Sequence, residues 1–208
     1  MKKNISNGVY LVVDAGMSPV KVLKQLEAVK NESIAAVQIW NNPLLKEVDR
    51  TFLAEIVQLY ADVSTPILIH EQWELLSEIG FDGVHFDRIP GNFKEIERQV
   101  SKPFLKGVTL TNDLETVKKA EEYRFDYLSF CSMFASTTAI SCEIVHPETV
   151  RKCRKMTEMP IFLSGGIYPE NMNLLKDLPY QGVAVVSGVM GAIDPVQAVR
   201  SYNKQLNK

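Results

Sequence analysis

Cysteine is scarce in this 208-residue chain: Cys131, Cys142 and Cys153 are an odd number with no CxxC pair. That spacing argues against a disulfide framework or a structural zinc site and fits reduced thiols in a cytoplasmic protein. An excess of either charge is missing too, since 23 Lys+Arg against 25 Asp+Glu leave −2 at pH 7. There is no basic stripe for nucleic acid and no polybasic patch for a membrane surface. Long apolar runs are absent. Behind the basic Met1-Lys2-Lys3, the run 9–13 stops at Asp14, short of a signal-peptide core and far short of the roughly 20 residues of a spanning helix. No Gly-Ser tract or low-complexity linker divides the chain, so 1–208 reads as one domain with an ordinary globular composition, 46% hydrophobic.

What the chain does have is alternation. Runs dense in Val, Ile, Leu, Phe and Tyr fall at 8–13, 34–39, 66–70, 83–86, 104–109, 126–131, 160–164 and 182–187. They show little polar alternation, as expected of strands covered on both faces in a parallel sheet. Helix-length segments with apolar positions three and four apart separate them, clearest at 19–29, at 44–60 and at 195–206. Asn112-Asp113 precedes one such segment as a helix start, and Pro147, Pro169 and Pro195 sit where a first helical turn tolerates a missing N–H. Eight βα repeats in about 200 residues predict a single-domain (β/α)8 barrel, with an open doubly wound sheet as the rival. In a barrel the chemistry lies at the carboxyl ends of the strands.

Those ends carry a distinctive set of residues. Gly165-Gly166 after strand seven, with Val186, Ser187 and Gly188 after strand eight, would let backbone N–H groups approach an anion. Ser136, Thr137 and Thr138 after strand six add hydroxyl donors beside them. At strand two, Gln38 offers a paired donor and acceptor suited to a heterocycle, and Trp40 either covers an aromatic ligand or packs in the core. Strand three ends at His70-Glu71 and strand four at His85-Phe86-Asp87, which together make either an acid–base or metal cluster or hydrogen-bonded interior histidines.

In order along the chain, Tyr10-Leu11-Val12-Val13-Asp14, Val37-Gln38-Ile39-Trp40, Gly83-Val84-His85-Phe86, Gly107-Val108-Thr109, Asp126-Tyr127-Leu128, Gly165-Gly166-Ile167 with Asn171, and the run 182–187 resemble the motifs of the thiamin phosphate synthase family. That family also includes the thiazole tautomerases. The resemblance spans nearly the whole chain and implies a (β/α)8 barrel acting in thiamin biosynthesis. The implied reaction joins hydroxymethylpyrimidine pyrophosphate to thiazole phosphate with Mg²⁺, held here by Glu71 and Asp87. His70, Glu71 and His85 are the catalytic candidates. Gln38, Trp40, Thr109, Ser136, Thr138, Gly165, Gly166, Val186 and Ser187 would bind the substrate.

The sequence departs from that pattern on one side only. The strand-two Arg and Lys of the family are Trp40 and Asn42, the strand-three Asn-Asp is His70-Glu71, the second metal-binding Asp falls at Pro90, and the strand-six Lys falls at Ala139. Three cations are gone from the half that would hold the diphosphate. Removal of a single well-placed electrostatic donor already costs roughly 10²–10³ in rate. The tautomerases' strand-six histidine is Ser132. Three readings follow: a family enzyme on a small phosphorylated heterocycle, a non-catalytic binder of a phosphorylated thiazole or thiamin phosphate, and a tautomerase using His70 or His85. A barrel of this size is compatible with a homodimer, for which no particular residue argues.

Overall fold

The computed structural model describes residues 2–40, 49–136 and 143–207. Eight parallel strands close into a barrel in sequence order: β1 Gly8–Asp14, β2 Ile34–Trp40, β3 Ile67–His70, β4 Gly83–Phe86, β5 Leu105–Leu110, β6 Tyr127–Cys131, β7 Ile161–Ser164 and β8 Gly182–Val185. The helices are α1 Pro19–Val29, α2 Arg50–Leu59, α3 Leu75–Glu78, α4 Phe93–Val100, α5 Glu115–Glu122, α6 Pro147–Met156, α7 Ser187–Met190 and α8 Pro195–Leu206. This is the (β/α)8 barrel, and the open sheet is excluded by the β1–β8 pairing of Gly8 with Gly182 through Leu11 with Val185. Among the described residues no helix is long and apolar enough to cross a membrane.

The weak polar alternation of the strands has a structural cause: both faces are buried. Outward residues such as Leu11, Val37, Ile69, Val84, Val108, Leu128, Leu163 and Val183 pack against the helices. Tyr10, Ala36, Leu68, Leu105, Tyr127, Phe162 and Ala184 fill the interior as a separate cluster. At the amino-terminal rim a repeated device ties strands in pairs. The residue before each of β4, β6 and β8 accepts from an N–H at the start of the preceding strand: Asp82 from Ile67, Asp126 from Lys106 and Gln181 from Ile161. Asp126 also pairs with Lys2 at 2.6 Å, so this motif residue braces the end opposite the site.

Two helical segments and one strand end depart most from the sequence expectation. Helix α2 starts at Arg50, where the Asp49 carboxylate accepts from the Thr51 N–H, and 44–48 lie outside the described residues. After β7 no α-helix follows Pro169. A single 3-10 turn, Met172–Leu175, takes its place, because Asn171 Oδ1 accepts from the Tyr168 N–H and its Nδ2 donates to the Gly166 carbonyl, folding the segment into a compact loop. Strand β8 stops at Val185 and gives way to α7 at Ser187.

Gly107 is required by the interior. A Cβ built on it would lie 2.0 Å from Cζ of Tyr127, its neighbour in the β5–β6 register. Gly107→Ala is therefore expected to force the ring off its packing and to destabilise by about 1–3 kcal/mol, the usual range for overpacking. A melting curve checks this. Combining the change with Tyr127→Leu should recover part of the loss by coupling.

Candidate functional site

A cavity of about 240 Å³ opens at the carboxyl ends of the strands. The alternation that sends Tyr10 inward also sends Val12, Gln38, Trp40, His70, His85, Thr109, Ser129, Cys131 and Ser164 into this upper layer, where all of them line the cavity. Asp87, Ser136, Gly165, Gly166, Val186, Ser187 and Gly188 join from the loops. Of the residues expected from sequence, Gln38, Trp40, His70, His85, Asp87, Thr109, Ser136, Gly165, Gly166, Val186 and Ser187 thus converge. Glu71 stands just behind the wall against Asp87, and Thr138 lies outside the described residues. Sequence patterning does not mark Tyr10, Tyr127, Ser129 and Ser164 as site residues. Their signal is the inward parity they share with Gln38 and His85.

A hydrogen-bonded chain crosses the barrel beneath the cavity. The Tyr10 hydroxyl donates to Gln38 Oε1 at 2.7 Å and contacts the Tyr127 hydroxyl at 2.8 Å. Tyr127 in turn meets His85 Nδ1 at 2.9 Å, and His85 Nε2 meets the Thr109 hydroxyl at 2.9 Å. Each hydroxyl has one proton, so the first bond orders the rest. With the Tyr10 proton committed to Gln38, Tyr127 donates to Tyr10, His85 donates from Nδ1 to Tyr127, and Thr109 donates to His85 Nε2. Burial keeps both tyrosines protonated by raising their pKa values. Burial also lowers His85 to about 3, with the nearby His70 a smaller cause. The outcome is a neutral His85 in one tautomer, with Gln38 leaving its amide N–H groups and Thr109 its lone pairs for a ligand.

The second cluster sits at the ends of β3 and β4. His70 Nε2 lies 3.1 Å from Asp87 Oδ1, and the Asp87 N–H donates to Glu71 Oε1 at 2.6 Å. Glu71 reaches that position from a left-handed backbone, φ 62°. The hydrogen bond from His70 holds the Asp87 carboxyl below its usual range, whereas burial raises that of Glu71. The three side chains each bring one ligand atom within 4.8 Å of the others. Glu71 and Asp87 are the pair implied for Mg²⁺. An imidazole completes the cluster, however, and Mg²⁺ demands near-octahedral oxygen coordination. The donor set is thus mixed nitrogen and oxygen, unlike the all-oxygen shell Mg²⁺ prefers.

On the opposite side Gly165 and Gly166 have φ 89° and 63°, and a Cβ at Gly166 would meet the Ala135 carbonyl and the Phe134 side chain. The glycines therefore do two things: they turn the chain and they let the strand-six loop dock, with Met133 N–H donating to Ser164 O and Phe134 N–H to Gly165 O. The Gly166 N–H finds no main-chain acceptor among the described residues, and Ser187 and Gly188 open a helical turn whose first N–H groups have no partner within the helix. Ser132, at the tautomerase histidine's place, is buried and donates to the Phe134 carbonyl. No Lys or Arg is among the described residues that line the cavity.

A family model described as "Thiamine monophosphate synthase" matches residues 9–189. The chain belongs to the thiamine monophosphate synthase family. Curated relatives include a thiamine-phosphate synthase of Xylella fastidiosa strain 9a5c, 27% identical over 201 residues (96% of this chain, 85% of that one), and one of Methanobrevibacter smithii, 25% identical over 206 residues (97% and 96%). Among solved structures, the thiamine phosphate pyrophosphorylase of Pyrococcus furiosus superposes with TM-score 0.76 at 20% identity, covering 96% of this chain and 95% of that one. The (S)-3-O-geranylgeranylglyceryl phosphate synthase of Thermoplasma acidophilum reaches 0.68 at 13% identity (97% and 93%), a likeness of fold. Of the positions where the sequence departs from the motifs it resembles, Trp40 and His70-Glu71 fall on the cavity wall or against it, while Asn42 and Ala139 lie outside the described residues.

Proposed function

We propose that this thiamine monophosphate synthase family member binds a small heterocycle carrying a single phosphate, of the thiazole phosphate or thiamin phosphate kind, and that it supports little condensation with a pyrimidine diphosphate. One observation carries the reading: the described cavity wall has neutral N–H and O–H donors on the β6–β8 side and no lysine or arginine anywhere. A monoester is satisfied by oriented amides and hydroxyls at a strand–helix junction. A departing diphosphate needs concentrated positive charge, each well-placed donor being worth roughly 10²–10³ in rate. Arg88, next to Asp87, is exposed and not part of the wall.

The test is a paired measurement. Purified protein with hydroxymethylpyrimidine pyrophosphate, thiazole phosphate and Mg²⁺ is expected to give no thiamin phosphate above background, while calorimetry with thiazole phosphate or thiamin phosphate alone gives saturable binding. Turnover comparable to a relative with its cations intact would overturn the first half, and no affinity for either monoester the second.

The His70–Asp87 pair favours one further reading, a thiazole tautomerase with His70 as proton carrier. His85 suits that role less, because its Nε2 lone pair is taken by Thr109. Under this reading His70→Ala abolishes exchange between thiazole isomers and His85→Ala leaves most of it.

A further inference from the structure

We infer that His70, Glu71 and Asp87 form a binding site for a first-row transition-metal dication of the Zn²⁺ or Co²⁺ type, selected against Mg²⁺. The inference concerns a bare ion and stands whether or not the cavity takes a thiazole.

The geometry comes from the barrel. His70 ends β3 in register with His85 of β4, so the residues that follow each strand are brought side by side although they are 16 apart in sequence. His70 is buried, so its ring nitrogen is fixed by the barrel wall and does not drift in solvent. Glu71 folds back over the strand end through its left-handed backbone, with one oxygen engaged by the Asp87 N–H and the other left over. Asp87 contacts His70 through Oδ1 and keeps Oδ2. One imidazole and two carboxylates within 4.8 Å make a three-ligand set of the kind that leaves an open coordination position. His70 and Asp87 line the cavity, so the cluster borders the space a ligand would occupy.

The chemistry of the donors decides which ion fits. Imidazole nitrogen suits Zn²⁺, Co²⁺, Ni²⁺ and Cu²⁺, whereas carboxylate, carbonyl and water oxygens suit Mg²⁺. His70 adds a nitrogen to the two carboxylates, which raises affinity for the former group and does nothing for Mg²⁺. A dication here would also be a positive charge on a wall that otherwise shows none among its described residues. In the ion's absence His70 and Asp87 hold each other, so binding exchanges that hydrogen bond for two coordination bonds.

Chelator-stripped full-length protein titrated separately with ZnCl₂, CoCl₂ and MgCl₂ in a calorimeter tests this. Zn²⁺ and Co²⁺ are expected to bind one per chain, at least a hundred-fold tighter than Mg²⁺. His70→Asn should weaken Zn²⁺ at least tenfold while leaving the weak Mg²⁺ binding unchanged, and Asp87→Asn, at an exposed position, should also weaken Zn²⁺. Cys131, which lines the same cavity, supplies the rival ligand. Cys131→Ser is expected to leave Zn²⁺ affinity within threefold, and the Co²⁺ complex to lack a thiolate charge-transfer band. Mg²⁺ binding as tightly as Zn²⁺, Zn²⁺ affinity unmoved by both His70→Asn and Asp87→Asn, or loss of Zn²⁺ in Cys131→Ser would each overturn the inference.

Discussion

Lowering the pH from 7 to 4 is expected to cost the fold about 3 kcal/mol through His85 alone. In the unfolded chain this imidazole has its ordinary pKa of 6.5, and in the folded barrel burial brings it down to about 3. Between those values the unfolded state binds the proton and the folded state does not, so stability falls as the pH falls. The loss begins near pH 6.5, amounts to about 2 kcal/mol by pH 5, and approaches the order of 4–5 kcal/mol as the pH nears the folded value, at about 1.36 kcal/mol per unit. Neighbouring groups do not mimic it. Asp87, whose carboxyl is lowered, adds a loss of the same sign only below its ordinary range, whereas Glu71, whose carboxyl is raised, works in the opposite direction. Urea midpoints at pH 7, 6, 5 and 4 measure the slope. His85→Gln keeps an amide in the hydrogen-bonded chain and cannot titrate. It should be less stable than the parent at pH 7 and much flatter toward pH 4, and equal slopes in the two proteins would refute the assignment.

That histidine also marks how far sequence reasoning carries. The barrel was legible because each strand is apolar on both faces and each connection has helical spacing, and those two periods are consequences of the layers themselves. Convergence at the strand ends followed from topology, so the sharing of one cavity by Gln38, Gly166 and Ser187 was expected before any coordinates, and Thr109, taken from the resemblance, joins them. The wiring below them was not. Tyr10 and Tyr127 look like ordinary interior aromatics, and nothing in a strand says whether a hydroxyl will find a partner across the barrel, 117 residues away in the case of Tyr10 and Tyr127. Gly165-Gly166 was legible as a strand-end turn, with an anion beside it only as an expectation. Its second role, admitting the strand-six loop, depends on where Phe134 and Ala135 come to lie. Glu71 reads as a wall residue from its place after β3, and only its left-handed backbone turns it behind Asp87.

A negative charge at Ser187 should weaken binding of thiazole phosphate at least a hundred-fold. Ser187 is an exposed cavity residue at the first position of α7, in line with the N–H groups of the following turn. A carboxylate there competes for those donors and repels a phosphate. At roughly 6 Å and an effective dielectric constant of about 20, one pair of unit charges costs about 3 kcal/mol, and a monoester near pH 7.5 carries almost two. Salt reduces the effect but does not remove it at such a distance. Ser187→Asp should at the same time leave the melting temperature nearly unchanged, since an acidic side chain at the start of a helical turn is favourable there. Ser187→Ala removes one hydroxyl and should cost only about 1 kcal/mol, roughly fivefold in affinity. The dephosphorylated thiazole alcohol should bind Ser187→Asp and the parent equally, which separates loss of the phosphate contact from damage to the rest of the cavity. If Ser187→Asp holds thiazole phosphate as well as the parent does, the anion lies elsewhere, and the donors of β7 and β8 serve only to shape the loops around them.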